Sequence, residues 1–215
     1  MTLPTFDLET VYWKNDIDIL GVDEVGRGAF AGPLVLGGVV FPKNSNFLDD
    51  AVLSQINDSK LLSPVKRQEL AKRIYNSAIH TQIIVIPVRT INKYGIGKST
   101  QLGVKRLCEM SMKKLNIHLF MDGFHISGLD ALNIQQSPIV KGDRISTSIA
   151  AASIIAKVYR DDLMENLHKK FEEYNFLENK GYGTKFHRDM LRKYGLSKIH
   201  RTSFSLEKFC LQQST

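Results

Sequence analysis

The sequence predicts an α/β fold: one domain built on a β-sheet with helices around it, continued by a helical C-terminal extension. Three observations carry this. Short apolar, β-branched runs alternate with segments whose apolar residues recur at helical spacing. Three of the apolar runs end on an acid beside or between glycines. No internal repeat, low-complexity tract or Pro/Gly/Ser-rich linker divides the 215 residues, a length that one large domain accommodates. The core is expected over about 17–171 and the helical C-terminal part over about 172–215, within a single domain spanning 1–215.

Residues 17–24 and 34–41 read as strands, and Ala29-Phe30-Ala31-Gly32-Pro33 between them reads as a turn. Ser63 is a good N-cap with Pro64 as the first helical residue, and Val65, Leu70, Ile74 and Ala78 follow at helical spacing. Residues 81–88 are β-branched and continuous, which predicts a buried strand. A helix over about 98–115 presents Leu102, Val104, Leu107 and Met110. Residues 116–121 form a short strand that delivers Asp122-Gly123, and Ile139-Val140 forms another that ends at Lys141-Gly142-Asp143. From 146 to about 171 the pattern is one long helix with Ala150, Ala151, Ala152, Ile154, Ile155, Ala156 and Val158 inward; its small residues allow close approach to a sheet. Shorter helices over 185–194 and 205–211 complete the chain.

Composition restricts the class of function. The formal net charge is +7, which favours an anionic partner, nucleic acid being the commonest. No apolar run approaches the roughly 20 residues needed to span a bilayer. The start, 1–16, carries Asp7 and Glu9 and has neither the basic region nor the apolar stretch of a signal peptide. Cys108 and Cys210 share no metal-type spacing, so the expectation is free thiols in a reducing interior, hence a cytoplasmic protein without membrane association.

The segment with most chemical content is Gly21-Val22-Asp23-Glu24-Val25-Gly26-Arg27-Gly28. Two buried carboxylates cost several kcal/mol each unless something positive meets them. At a strand end beside a cationic, glycine-rich tripeptide they point to a divalent metal or a polyanionic substrate; the plainer reading is a solvated surface turn. Asp122 and Asp143 repeat the pattern at two further strand ends. Neighbouring strand ends converge on one crevice, and four convergent carboxylates call for hard cations, Mg²⁺ or Mn²⁺. Two such ions form the usual clamp for phosphodiester hydrolysis.

These blocks resemble the ribonuclease HII family, type 2 ribonucleases H. The resemblance rests on residues 21–28, Ala31-Gly32-Pro33-Leu34-Val35, Asp58-Ser59-Lys60-Leu61, Met121-Asp122-Gly123, Lys141-Gly142-Asp143, the run 151–161, Gly181-Tyr182-Gly183-Thr184-Lys185-Phe186-His187 and His200-Arg201-Thr202-Ser203-Phe204. They follow in family order over about 18–204. The resemblance implies an RNase H-like fold, a central mixed sheet flanked by helices, whose C-terminal helical part closes over the substrate. It implies an endonuclease that hydrolyses the RNA strand of RNA–DNA hybrids and cuts at single ribonucleotides in duplex DNA, leaving 3′-hydroxyl and 5′-phosphate ends. Such an enzyme serves ribonucleotide removal from DNA and RNA primer removal. By the same match Asp23, Glu24, Asp122 and Asp143 would be the catalytic, metal-binding carboxylates for two Mg²⁺ or Mn²⁺ ions, Asp23 bridging them. Gly26, Arg27 and Gly28 would read the ribose 2′-hydroxyl, Tyr182 would stack on the adjoining sugar, and Lys60 and Ser146 would touch phosphate. His187 and His200 are read as structural. Gly-Arg-Gly in place of Gly-Lys-Gly, and no added N-terminal domain, favour this family over its sister, ribonuclease HIII. A monomer is expected, and 205–215 contains no recognisable sliding-clamp peptide.

One segment departs from the family pattern. Tyr94-Gly95-Ile96-Gly97-Lys98-Ser99-Thr100 mimics the end of a phosphate-binding loop following a strand and opening a helix. The first glycine of that motif falls on Asn92, however, so the full pattern fails. A phosphate-loop NTPase is therefore the rival enzyme, and it leaves Asp23, Glu24, Asp143 and Gly26-Arg27-Gly28 unexplained. A nucleic-acid-binding module without catalysis fits the charge but has no need of four strand-end acids.

Overall fold

The structure, a computed structural model, describes residues 3–43, 45, 53–113 and 115–210. Five strands, β1 (Asp18–Val25), β2 (Leu34–Val40), β3 (His80–Ile86), β4 (Ile117–Asp122) and β5 (Gln136–Ile139), form one mixed sheet in the order β3-β2-β1-β4-β5. Strands β1, β4 and β5 run parallel, while β2 is antiparallel to both β1 and β3. The helices are α1 (Asp7–Trp13), α2 (Pro64–Ser77), α3 (Val88–Ser111), α4 (Thr147–His168), the short α5 (Phe176–Asn179) and α6 (Lys185–Tyr194).

Alternation along the strands supplies both layers of core. Leu20 and Val22 of β1 face one side and pack with Ile91, Val104 and Leu107 of α3. Ile19 faces the other side, with Phe120 of β4, Leu70 and Ile74 of α2, and Ile149 to Ala152 of α4. The closeness expected of the small residues in α4 is real. A Cβ on Gly21 would lie 2.3 Å from the Ser148 carbonyl carbon, and one on Gly37 would lie 2.4 Å from the Ala152 oxygen. A third cluster, Ala31, Met164, Tyr174, Phe176 and Leu191, fastens the C-terminal helices to the β1–β2 connection. Backbone bonds reinforce it: Phe30 N–H to Gly181 O at 2.8 Å, Gly32 N–H to Ile199 O at 2.9 Å and Arg201 N–H to Phe30 O at 2.8 Å.

Several sequence expectations need correction. The run 81–88 is not a fully buried strand: among the described residues β3 lies at the sheet edge and pairs with β2 alone, and it leaves Val85 38% exposed. Its β-branched composition reports strand propensity, and burial is set by neighbours. The helix expected over 98–115 is the second of two helices that α3 joins across a kink at Gly95, φ 75° and ψ 163°; it ends at Ser111, and a first helix, from Val88, precedes the kink. Pro87 precedes its first turn and fixes the start. The last strand is Gln136–Ile139; Val140 is 72% exposed and Lys141 takes a left-handed turn. Helix α4 stops at His168 rather than near Phe171. The helix expected over 205–211 is a 3₁₀ turn at Leu206–Phe209, and its last residue lies outside those described. Helix α1 had no counterpart in the sequence reading.

Candidate active site

The acids meet because three of their carriers are parallel. The carboxyl ends of β1, β4 and β5 open on one edge of the sheet, where ligands bind in open α/β folds. Asp23 and Glu24 lie near the end of β1, Asp122 ends β4, and Asp143 sits in the 3₁₀ turn Gly142–Arg144 after β5. Asp23, Glu24 and Asp122 line a cleft of about 480 Å³, together with Gly26, Arg27, Gly28, Ser59, Lys60, Ser153, Lys157 and Tyr182. Asp143 is not among the residues that line the cleft and is only 6% exposed. Asp122 Oδ1 accepts from the Gly142 N–H at 2.8 Å, which pins the end of β4 to the turn carrying Asp143.

The cluster is electrostatically uncomfortable. Burial, and then the Glu24 carboxylate, push the Asp23 carboxyl up to about 7, although it accepts a hydrogen bond from Ser153. Glu24 is also raised by burial, against the pull of Arg27, whose Nη1 lies 3.2 Å from its Oε1. Its Oε2 is buried with no hydrogen-bond partner among the described residues. Asp143 is raised by burial and by Asp58 and Asp122. Asp58 is a fifth acid, 2% exposed and bridged to Arg144 at 3.2 Å. Oxygen donors that repel one another, one of them unpartnered, fit a hard divalent cation. Among the described residues no three His, Cys, Asp or Glu side chains close into a ready-made cage.

The flanking residues are placed as follows. The Arg27 side chain lies over the Phe124 ring, 4.7 Å from its centre. Gly26 has φ +92°, and a Cβ there would clash with Arg160 Nε, whereas a Cβ on Gly28 would meet no atom beyond its chain neighbours within 4 Å. The N–H groups of Arg27 and Gly28 have no internal acceptor among the described residues. Tyr182 is 37% exposed, with the Arg160 guanidinium 5.4 Å from its ring centre. Lys60 is exposed on the cleft wall, its backbone N–H held by Asp58 Oδ1 at 3.0 Å.

Ser146 does not belong to this site. It is fully buried as the N-cap of α4, accepts from Ile149 N–H, and donates to Glu9 Oε1 at 2.6 Å. Its partner lies 137 residues away, on α1, and no local pattern reveals that. Conversely, the sequence reading gave no role to Ser153 and Lys157, which line the cleft from α4. Their i, i+4 spacing puts them on one helix face, a signal that was available. It also missed what supports the loops. Arg160, fully buried, donates to the carbonyls of Pro33, Lys180 and Ala31; Arg201, also buried, donates to those of Gly32 and Arg27.

The phosphate-loop rival fails on geometry. Gly95 to Thr100 does not follow a strand, because the first helix of α3, from Val88, separates it from β3, and Ser99 and Thr100 are buried, bonded to the carbonyls of Thr90 and Ile96. Lys98→Ala is accordingly expected to leave nuclease activity within a few-fold of the parent, and calorimetry is expected to detect no micromolar ATP binding.

Comparison with known proteins gives one answer. The family model for ribonuclease HII matches residues 20–207. A ribonuclease HII of Clostridioides difficile is 42% identical over 193 residues, 90% of this chain and 72% of that protein. One from Wolbachia pipientis wMel is 42% identical over 207 residues, 95% of this chain and 97% of that one. Among solved structures, a chain of the PCNA:RNase HII complex from Archaeoglobus fulgidus superposes with TM-score 0.72 at 23% identity, covering 92% of this chain and 98% of that one. The Bst-RNase HIII structure in complex with Mn²⁺ superposes with TM-score 0.68 at 19% identity, covering 90% and 69%. No described helix is long and apolar enough to cross a membrane. The expected RNase H-like sheet is thus present, and the chain belongs to the ribonuclease HII family, endonucleases of the ribonuclease H type that cleave the RNA strand of RNA–DNA hybrids.

Proposed function

We propose that this protein also cuts at single ribonucleotides embedded in duplex DNA, and that it does so by two-metal-ion hydrolysis with Mg²⁺ or Mn²⁺. The observation that carries the reading is the acid cluster itself: Asp143 buried, the others half-buried in the cleft, mutually repelling, with Glu24 Oε2 unpartnered among the described residues, beside a cationic tripeptide and an exposed tyrosine. Asp23, Glu24, Asp122 and Asp143 would hold the ions. When bound, such ions supply a water acidic enough to attack at neutral pH and positive charge for the leaving 3′ oxygen, leaving 3′-hydroxyl and 5′-phosphate ends. A Mn²⁺ complex of the structurally similar Bst-RNase HIII supports the choice of metal.

The protein's own residues carry substrate choice. The unengaged N–H groups of Arg27 and Gly28 can donate to a 2′-hydroxyl, and the open space at Gly28 lets a ribose approach the backbone. Arg27 and Lys60 meet phosphate. Tyr182 stacks on the following deoxyribose and settles the scissile phosphate over the acids. The C-terminal part, fastened to the β1–β2 connection, closes over the duplex. The enzyme acts as a cytoplasmic monomer in ribonucleotide removal and RNA primer removal.

The direct test is a duplex carrying one ribonucleotide, incubated with Mg²⁺, Mn²⁺ or excess EDTA. A cut at the ribonucleotide is expected with either ion, and robust cutting in EDTA sinks the two-metal reading. A second expectation concerns Tyr182. One hydrogen bond to a hydroxyl is worth roughly 0.5–1.5 kcal/mol net, too little for near-absolute rejection of DNA. Misplacement of the phosphate must do the rest. Tyr182→Ala is expected to lower turnover at isolated ribonucleotides far more than it lowers duplex affinity, which phosphate contacts dominate. Wild-type rates on single-ribonucleotide and all-RNA hybrid substrates alike would make Tyr182 a packing residue only.

A further inference from the structure

We propose that His187 and His200 form a neutral, tautomer-locked relay that sets the position of Tyr182 against the Gly26-Arg27-Gly28 loop, which makes both histidines positioning residues for cleavage. The functional half of this rests on the stacking role proposed above for Tyr182.

The two rings are buried, 0% and 1% exposed, with their Nε2 atoms 3.0 Å apart. One end of the chain is a backbone donor: the Ser197 N–H lies 2.9 Å from His200 Nδ1, and Ser197 Oγ lies 2.8 Å from it. A backbone N–H can only donate, so His200 Nδ1 is the acceptor and its proton sits on Nε2. That proton points at His187 Nε2, which must then accept. His187 therefore carries its own proton on Nδ1, 2.9 Å from the Tyr182 carbonyl oxygen. A carbonyl can only accept, so both ends of the chain demand the same arrangement. An imidazolium at either ring would set two N–H groups face to face. Burial lowers the basicity of both, His200 to about 4 with the help of its neighbour.

The relay joins the two loops that face the substrate. At one end it holds the Tyr182 carbonyl, which also accepts from Thr184 N–H at 2.8 Å. At the other end the His200 backbone bridges to Ala31, three residues beyond Gly28, and the neighbouring Ile199 carbonyl accepts from Gly32. Tyr174 and Phe176 pack their rings against both histidines. The rings are thus held by packing while their protons set the register of Tyr182.

The first test is long-range proton–nitrogen NMR on the unmodified protein at neutral pH. His187 is expected as the Nδ1–H tautomer and His200 as the Nε2–H tautomer; any other tautomer of His187, or a charged ring, overturns the relay. The second is kinetic. His187→Phe fills the ring space without the donor, and is expected to lower kcat on a single-ribonucleotide duplex by about tenfold with duplex affinity unchanged. His187→Asn, whose amide can stand in for Nδ1–H, is expected to recover most of that loss. In a Tyr182→Ala background His187→Phe is expected to add nothing, because both changes act through one group. Equal losses in the Asn and Phe variants, or losses that multiply with Tyr182→Ala, overturn the positioning role. If Tyr182→Ala alone cuts at the wild-type rate, the stacking role falls and takes the functional half with it, whereas the tautomers are judged by the spectra. Should His187→Phe not fold, His200→Gln, which can still donate to His187, is expected to stay near the wild-type rate and His200→Leu to lose it; equal rates in the two overturn the relay.

Discussion

Asp23→Asn is expected to abolish cleavage and, without divalent ions, to make the protein more stable. Loss of one ligand from a carboxylate cluster is expected to cost several orders of magnitude in rate. The stability effect has the opposite sign and comes from the same burial. In the folded protein the Asp23 carboxyl is raised to about 7, by desolvation first and Glu24 second. A raised carboxyl holds a proton that the unfolded chain has already released. Stability therefore falls as pH climbs from the ordinary carboxylate range towards about 7, and stays low above it. Asparagine has no charge to bury. Allowing for the contact of Asp23 with the cleft solvent, the gain at pH 8 is roughly 2 kcal/mol, or about 4–8 °C in Tm for a chain of this size. At pH 4 the two proteins are expected to melt together. Divalent ions, by binding the folded state, are expected to raise the Tm of the parent and much less that of the variant. Thermal scans at both pH values, with and without Mn²⁺, check this; a variant that melts below the parent at pH 8 without metal would refute the electrostatic account.

Gly26→Ala and Gly28→Ala, two positions apart, are expected to fail for different reasons. Gly26 has φ +92°, which costs a side-chain-bearing residue about 1–2 kcal/mol. Its new Cβ would also strike Arg160 Nε at 2.0 Å, and that guanidinium is buried and tied to three carbonyls. A loss of about 3 kcal/mol or more in stability is expected, with activity falling as the loop shifts. Gly28 has no atom within 4 Å of a built Cβ, so Gly28→Ala is expected to change stability by no more than about 0.5 kcal/mol. Its effect belongs to substrate: the methyl intrudes where the ribose meets the backbone, and cleavage is expected to drop at unchanged fold. Denaturant melts beside turnover on a single-ribonucleotide duplex separate the two. A Gly28→Ala enzyme that cuts like the parent removes close backbone approach from the account of ribose recognition.

Much of the site was legible because its signals are local. Apolar runs that stop at Asp23-Glu24, Asp122 and Asp143 mark strand ends, and the structure finds β1, β4 and a turn after β5 at those places. Helix α2 starts at Pro64 behind Ser63, whose side chain accepts from Lys66 N–H as an N-cap does. Helix α6 spans Lys185–Tyr194 as its pattern predicts, since Thr184 caps it and Gly195 ends it. Capping and periodicity act within a few residues, so the chain states them in its own order.

What the sequence by itself determined is therefore the class of fold, the strand-end acids and the family to which they belong. Tertiary structure alone decided how those pieces bear on one another. Ser146 looks like a phosphate contact in the motif, yet Glu9 claims it from 137 residues away. Asp143 reads like the other strand-end acids, yet it is buried, and Asp58 and Asp122 both push its carboxyl up. Residues 81–88 read as interior, but among the described residues β3 has β2 as its one strand neighbour. His187 and His200 are thirteen residues apart in the chain, and only the packing of the C-terminal part brings their nitrogens to 3.0 Å. Secondary structure is set by short-range sterics and hydrogen bonding, whereas burial, charge coupling and proton placement depend on which distant segments close together. The chain spells the former residue by residue; the latter exist only once it has folded.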